Sequence, residues 1–131
     1  MTGLKGSNFS MHIRFFNNHL PWLLVMFLIS LQSHISADNM GSSLGFSDKI
    51  THFLVFGLLG WLITRAIFKE KNTFLQQNYF WIVLIVLAVF AIIDEMHQYF
   101  TPGRDAEIMD WLADICGVML FLFLYKWRHR I

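Results

Sequence analysis

Apolar positions fall in four long runs along the chain, separated by short polar stretches. Residues 1–19 are mixed, with Lys5 and Arg14, and the first run covers Leu20 to Ile35, opening on Pro21. Proline suits the first turn of a helix, where its missing N–H has no partner to lose, so the pattern predicts a helix starting near residue 20. Its clean apolar core, Trp22 to Leu31, is short for a bilayer that needs about 20 residues. Residues 36–47 are rich in Asp, Asn, Gly and Ser (Asp38, Asn39, Gly41, Ser42, Ser43, Gly45) and read as a loop. Two further runs, Ile50 to Phe68 and Tyr79 to Ile93, flank a polar turn at Lys69–Asn78, and the later one extends as helix through Asp94, Glu95 and Gln98. Thr101-Pro102-Gly103-Arg104 has Pro and Gly at the central positions of a turn. A last run, Ile108 to Trp127, precedes Arg128, His129 and Arg130.

The expected architecture is all-α: one domain over residues 1–131, a polytopic membrane bundle of four transmembrane helices at about 20–36, 49–68, 79–98 and 108–127. Composition agrees. The chain is 56% hydrophobic with 14 Phe and 5 Trp, more large apolar surface than a 131-residue soluble globule can bury. An alternative for the first run is a cleaved signal peptide, with Ile35-Ser36-Ala37 as the cleavage region; the long polar start and aromatic core favour an anchor. The single cysteine, Cys116, excludes an intrachain disulfide and reads as a small packing residue. No internal repeat and no nucleic-acid motif is present.

Charge fixes the expected orientation. With the N-terminus inside, Lys5, Arg14, Arg65, Lys69, Lys71, Lys126, Arg128 and Arg130 are cytoplasmic, leaving Lys49 and Arg104 outside. That is the positive-inside pattern of a chain with both termini in the cytoplasm. Acidic residues do the reverse: Asp38, Asp48, Asp94, Glu95, Asp105, Glu107, Asp110 and Asp114 fall at the outer end, and only Glu70 inside. Carboxylates contribute little to orientation, so their gathering asks for another cause.

Helical spacing sharpens the cluster. Asp48 and His52 are i,i+4, and Glu95 and Gln98 are i,i+3. Asp110, Ala113, Asp114 and Gly117 form one small, polar stripe on an otherwise apolar helix. Asp114 lies about 9 Å inside its span by helical rise; an ionisable group there faces the bundle and pairs with something, with Lys49 and Arg104 the expected partners. Plainer readings exist: Asp48 as an N-cap, Asp110 as a charge favoured by the helix dipole, His52 as a bundle hydrogen bonder, and Asp38, Asp105 and Glu107 as solvated loop charges. His97 reads as a surface residue, and Gly57, Gly60 and Thr64 as a close-packing face.

Asp48-Lys49-x-x-His52-Phe53, then Glu95-x-x-Gln98-x-Phe100-x-Pro102-x-Arg104, then Asp110 with Gly117 seven residues on, resembles the VanZ-like family of small bacterial membrane proteins, named for a teicoplanin-resistance protein. The resemblance covers roughly residues 45–125. It implies an integral membrane protein of the cell envelope, sometimes linked to glycopeptide tolerance, and no established reaction. Asp114 stands where the family tends to have Asn, and Phe56 where it often has Tyr.

Two functions from different classes follow. In one, the outer polar site binds a membrane lipid head group, a lipid-linked envelope precursor or a glycopeptide; Lys49 and Arg104 hold a phosphate or carboxylate, and His52 and Gln98 orient it, with Asp48 and Asp114 lining the site. In the other, the protein is a membrane-embedded hydrolase or transferase, with Glu95 or Asp110 as general base and His52 as its partner. No Ser or Cys nucleophile has a convincing neighbour. A metal held by Asp48, His52, Glu95 and Asp110 matches no ligand spacing, so neither metal nor other cofactor is expected. A transporter fits least, because the cytoplasmic halves of the spans lack polar residues. Oligomeric state is not readable.

Overall fold

A computed structural model describes residues 4–34, 44–70, 72–104 and 106–131, with side chains from residue 13 in the first helix and residue 47 in the second. Asp38, Lys71, Asp105, the Lys5 side chain, most of the 36–47 loop and the Ile35-Ser36-Ala37 segment lie outside the described residues. The described residues contain no strand. Five helices follow in order: α1 (Leu4–Ser33), α2 (Leu44–Lys69), α3 (Thr73–Gln77), α4 (Tyr79–Tyr99) and α5 (Ile108–His129).

Among the described residues three helices are long and apolar enough to cross a membrane: Ser47–Lys69 of α2, and all of α4 and α5. They mark a membrane protein. Their outward faces carry side chains that water would not tolerate in such number, among them Trp81, Ile85, Ile93, Phe123 and Trp127, each more than half exposed. The core is a thin apolar column, including Phe56, Leu59, Val83, Leu87, Val118 and Leu122, all almost wholly enclosed.

α2 and α5 approach most closely. A Cβ at Gly117 would overlap the Phe53 carbonyl, and one at Gly57 would meet the Phe121 ring; here small residues let two helix backbones touch. Gly60, near Val118 and Leu87, and Thr64, whose hydroxyl donates to the Gly60 carbonyl at 2.8 Å, continue that face as the spacing predicts. Cys116 departs from expectation: it sits one position before Gly117 and is exposed on the outside of the bundle.

The first helix is a correction. α1 begins at Leu4, not near residue 20, so Pro21 stands inside a 30-residue helix rather than in its first turn. Proline cannot donate the bond that the preceding turn would receive, yet the N-terminal half is tied down elsewhere. Glu70, just past α2, accepts from Asn18 Nδ2 at 3.1 Å and from His19 Nε2 at 3.2 Å. The apolar run of α1 is bracketed by Asn17, Asn18 and His19 on one side and by Gln32, Ser33 and His34 on the other. α1 lies against α2 and α4.

Two connections are now explicit. The polar turn after α2 contains the short α3, whose N-cap Asn72 accepts from the Leu75 N–H at 3.1 Å. The α4–α5 connection is the predicted turn: Arg104 N–H donates to the Thr101 carbonyl at 3.2 Å, and Gly103 has a φ of 76°, which favours glycine over residues with a side chain. That turn brings the end of α4 to the start of α5.

Candidate functional site

The polar side chains that spacing placed on three separate helices meet at one end of the bundle. Asp114 is 0% exposed and His52 7%; Asp114 Oδ1 lies 3.0 Å from His52 Nδ1. The Asp110–Asp114–Gly117 stripe turns this carboxylate inward, because Gly117 seats α5 against Phe53, one residue from His52. The expected pairing of Asp114 with Lys49 or Arg104 is therefore corrected: its partner is His52. Lys49 instead pairs with two other carboxylates, Glu107 Oε2 at 2.6 Å and Asp110 Oδ1 at 3.0 Å. Lys49 is partly exposed, whereas Asp110, in the first turn of α5, is buried.

Glu107, expected as a solvated loop charge, is the residue that starts α5. Its carboxylate is half exposed and paired with Lys49, while its backbone N–H donates to Glu95 Oε2 at 3.0 Å. Its role was hidden because it depends on the α4–α5 turn folding back, which no local pattern encodes. Asp48 lies within α2, a turn past its first residue, so it is not an N-cap; it shares a neighbourhood with His52 and Asp110.

A second group closes the site on the α1 side. Ser33 Oγ donates to Asp94 Oδ1 at 2.5 Å, and Gln98 Nε2 donates to Asp94 Oδ2 at 3.0 Å. The Thr101 hydroxyl donates to the Ser33 carbonyl at 2.9 Å. Ser33 and Thr101 escaped the sequence reading, since each finds its partners across the fold. His97 is exposed as expected, but its Nε2 lies 3.0 Å from His34 Nδ1. Between these groups lies a cavity of about 20 Å³, lined by His52, Asp94, Gln98, Arg104, Ser33 and neighbouring apolar residues. That is room for about one water molecule.

All eight candidate site residues thus gather at this end: Asp48, Lys49, His52, Glu95, Gln98, Arg104, Asp110 and Asp114. Among the described residues three buried oxygens find no hydrogen-bond partner: Glu95 Oε1, Asp110 Oδ1 (although ion-paired with Lys49) and Asp114 Oδ2. Single ligand atoms from His52, Glu95 and Asp114, all buried, lie within 4.8 Å of one another, and the same holds for Asp48, His52 and Asp110. Beside them an apolar groove of about 560 Å³ runs between α4 and α5, walled by Ile92, Met96, Tyr99, Phe100, Ala106, Ile108 and Trp111. Glu95 and Glu107 form its polar edge. The arrangement can take a molecule with an apolar tail and a polar head.

A protein-family model described as VanZ/LLP1 matches residues 7–129. Comparison with curated proteins and with solved structures finds no match.

Proposed function

Since the chain belongs to the VanZ/LLP1 family, we propose that it is an envelope protein of the bacterial inner membrane that binds an amphiphile, a membrane lipid or a lipid-linked envelope precursor. The head group lies at the polar cluster and the tail in the α4–α5 groove. One observation carries this reading: an apolar groove of about 560 Å³ shares Glu95 and Glu107 with the polar cluster. Ligand sites are concave, mostly apolar and oriented by a few convergent polar groups. Intramembrane carboxylates are rare and tend to mark such places. His52, Gln98 and Arg104 face the head-group side. Lys49 is already bound by Glu107 and Asp110 and acts as a positioning residue rather than as an anion clamp.

The topology proposed with it has four spans, α1 included, both termini in the cytoplasm and the polar cluster outside. Support comes from the basic residues Arg65, Lys69, Lys126, Arg128 and Arg130 at the ends of α2 and α5 remote from the cluster. Tolerance to glycopeptides follows on this reading if the bound amphiphile is an envelope precursor.

The test is native mass spectrometry of protein released from its own membranes. Wild type should retain a stoichiometric amphiphile. Ala106→Trp, which fills the groove, should lose it, while Phe123→Ala on the outer face of α5 should keep it. Equal retention by all three, or none by wild type, ends the proposal. A hydrolase or transferase reading has one specific support, the unpartnered and buried Glu95 Oε1, placed as a general base would be beside the groove. Unchanged turnover of envelope lipids by Glu95→Gln in vesicles would remove it.

A further inference from the structure

We infer that His52, Glu95 and Asp114 form a binding site for a single divalent transition-metal ion, of the Zn²⁺ or Mn²⁺ class. Each of the three helices that qualify as membrane spans contributes one of these residues: His52 from α2, Glu95 from α4 and Asp114 from α5. All three are more than nine-tenths buried, and one ligand atom from each lies within 4.8 Å of the others. Ligand atoms around a small dication held at about 2.1 Å stand roughly 3–3.5 Å apart. His52 Nδ1 and Asp114 Oδ1 stand 3.0 Å apart in a hydrogen bond, so the ion would displace the proton they share, and Glu95 would have to close the remainder by a side-chain rotation.

Two independent observations point to a ligand rather than to an acidic patch. Glu95 Oε1 and Asp114 Oδ2 are enclosed and have no hydrogen-bond partner among the described residues, an arrangement that folded proteins avoid unless something else satisfies the oxygen. Charge is also out of balance. Asp48, Asp94, Glu95, Glu107, Asp110 and Asp114 crowd this end, against Lys49 and Arg104 as the fixed cations. Lys49 serves Glu107 and Asp110, and leaves Asp114 and Glu95 to His52 and a backbone N–H. One imidazole with two carboxylates suits a borderline or hard dication and disfavours soft copper(I). Asp110 and Asp48 lie close by His52, and outer carboxylates of this kind orient a ligating ring. His52 also lines the water-sized cavity, so a water there could complete the ion's coordination. The site stands on its own geometry and does not depend on the amphiphile.

The experiment uses full-length protein in nanodiscs, purified without a histidine tag and stripped with chelator, then titrated with Zn²⁺ and with Mn²⁺. Wild type should bind one equivalent of at least one of them. Glu95→Gln and Asp114→Asn should each weaken binding at least 100-fold, while His97→Asn, which removes the exposed His34–His97 pair, should leave it unchanged. Loss of binding in His97→Asn alone would move the metal to the surface and overturn the inference, as would no stoichiometric binding by wild type. Should the two carboxylate variants fail to fold, pulsed electron paramagnetic resonance of wild type loaded with Mn²⁺, or with Cu²⁺ in place of Zn²⁺, decides. Coupling to one imidazole nitrogen that disappears in His52→Gln supports the site; its absence, or its persistence in that variant, overturns it. Retained metal with lost amphiphile in Ala106→Trp separates failure of the lipid reading from failure of this one.

Discussion

Single atoms decide how this bundle closes. Gly117 has no room for a methyl group: the Phe53 carbonyl occupies its place, and backbone cannot step aside as a side-chain tip can. Gly60 is different, since a Cβ there would meet Val118 and Leu87 at 3.5–3.6 Å, ordinary contact. Gly117→Ala should therefore destabilise the protein by about 1–3 kcal/mol, the usual range for overpacking, and Gly60→Ala by much less. Denaturant titration in mixed micelles reads both, and equal losses would refute the backbone contact. His19 offers a second case in which one atom fixes another. An indole N–H can only donate, so Trp22 Nε1, 3.2 Å from His19 Nδ1, makes that nitrogen the acceptor. The proton of the neutral ring is then on Nε2, which donates to Glu70.

At the scale of elements, among the described residues α1 packs less extensively than α2, α4 or α5. Its N-terminal half is fastened at Glu70, whose carboxyl is held below its ordinary value by the hydrogen bond from Asn18, then by His19 and nearby Arg14. A carboxyl lowered in the folded state contributes stability that is fully present above its ordinary value near 4.5 and lost as pH falls through its folded value. Glu70 is two-fifths exposed, so the contribution is a few tenths of a kcal/mol. Spin labels at Phe15 and Phe74 should move apart as pH drops below about 4.5; a Glu70→Gln protein should show the wider distance at every pH. A pH-independent separation in wild type would exclude the clamp. α1 is also where sequence pattern was least informative. The ends of α4 and the start of α5 follow the apolar runs closely, because a bilayer enforces hydrophobic length. Nothing local marks that a helix runs on through Pro21, since Asn18 and His19 bond to a residue 51 or 52 positions away. The same holds in the site. Asp48/His52 and the Asp110–Gly117 stripe are legible because helical spacing aligns them, whereas Ser33–Asp94 and Glu107–Glu95 depend on how helices are placed against each other.

For the whole molecule, the proposed topology is open to a direct check. With Cys116 replaced by Ala, single cysteines at Pro102 and at Arg130 should react with a membrane-impermeant maleimide from opposite sides: the first in intact cells, the second only after lysis. A reversed pattern would put the polar cluster in the cytoplasm and overturn the proposed topology. The molecule is asymmetric about its membrane normal. Carboxylates and their partners fill one end, and an aromatic layer of Trp61, Phe68, Tyr79, Tyr125 and His129 fills the other. The seat of Gly117 on Phe53 has a further consequence for how the protein is made. Chains emerge from the ribosome N-terminus first, so α2 enters the bilayer with its histidine before the aspartate that meets it has been synthesised. The His52–Asp114 pair is made only when α5 arrives, so a nascent chain stalled short of residue 114 carries the cavity lining of α1, α2 and α4 without the carboxylate that meets His52.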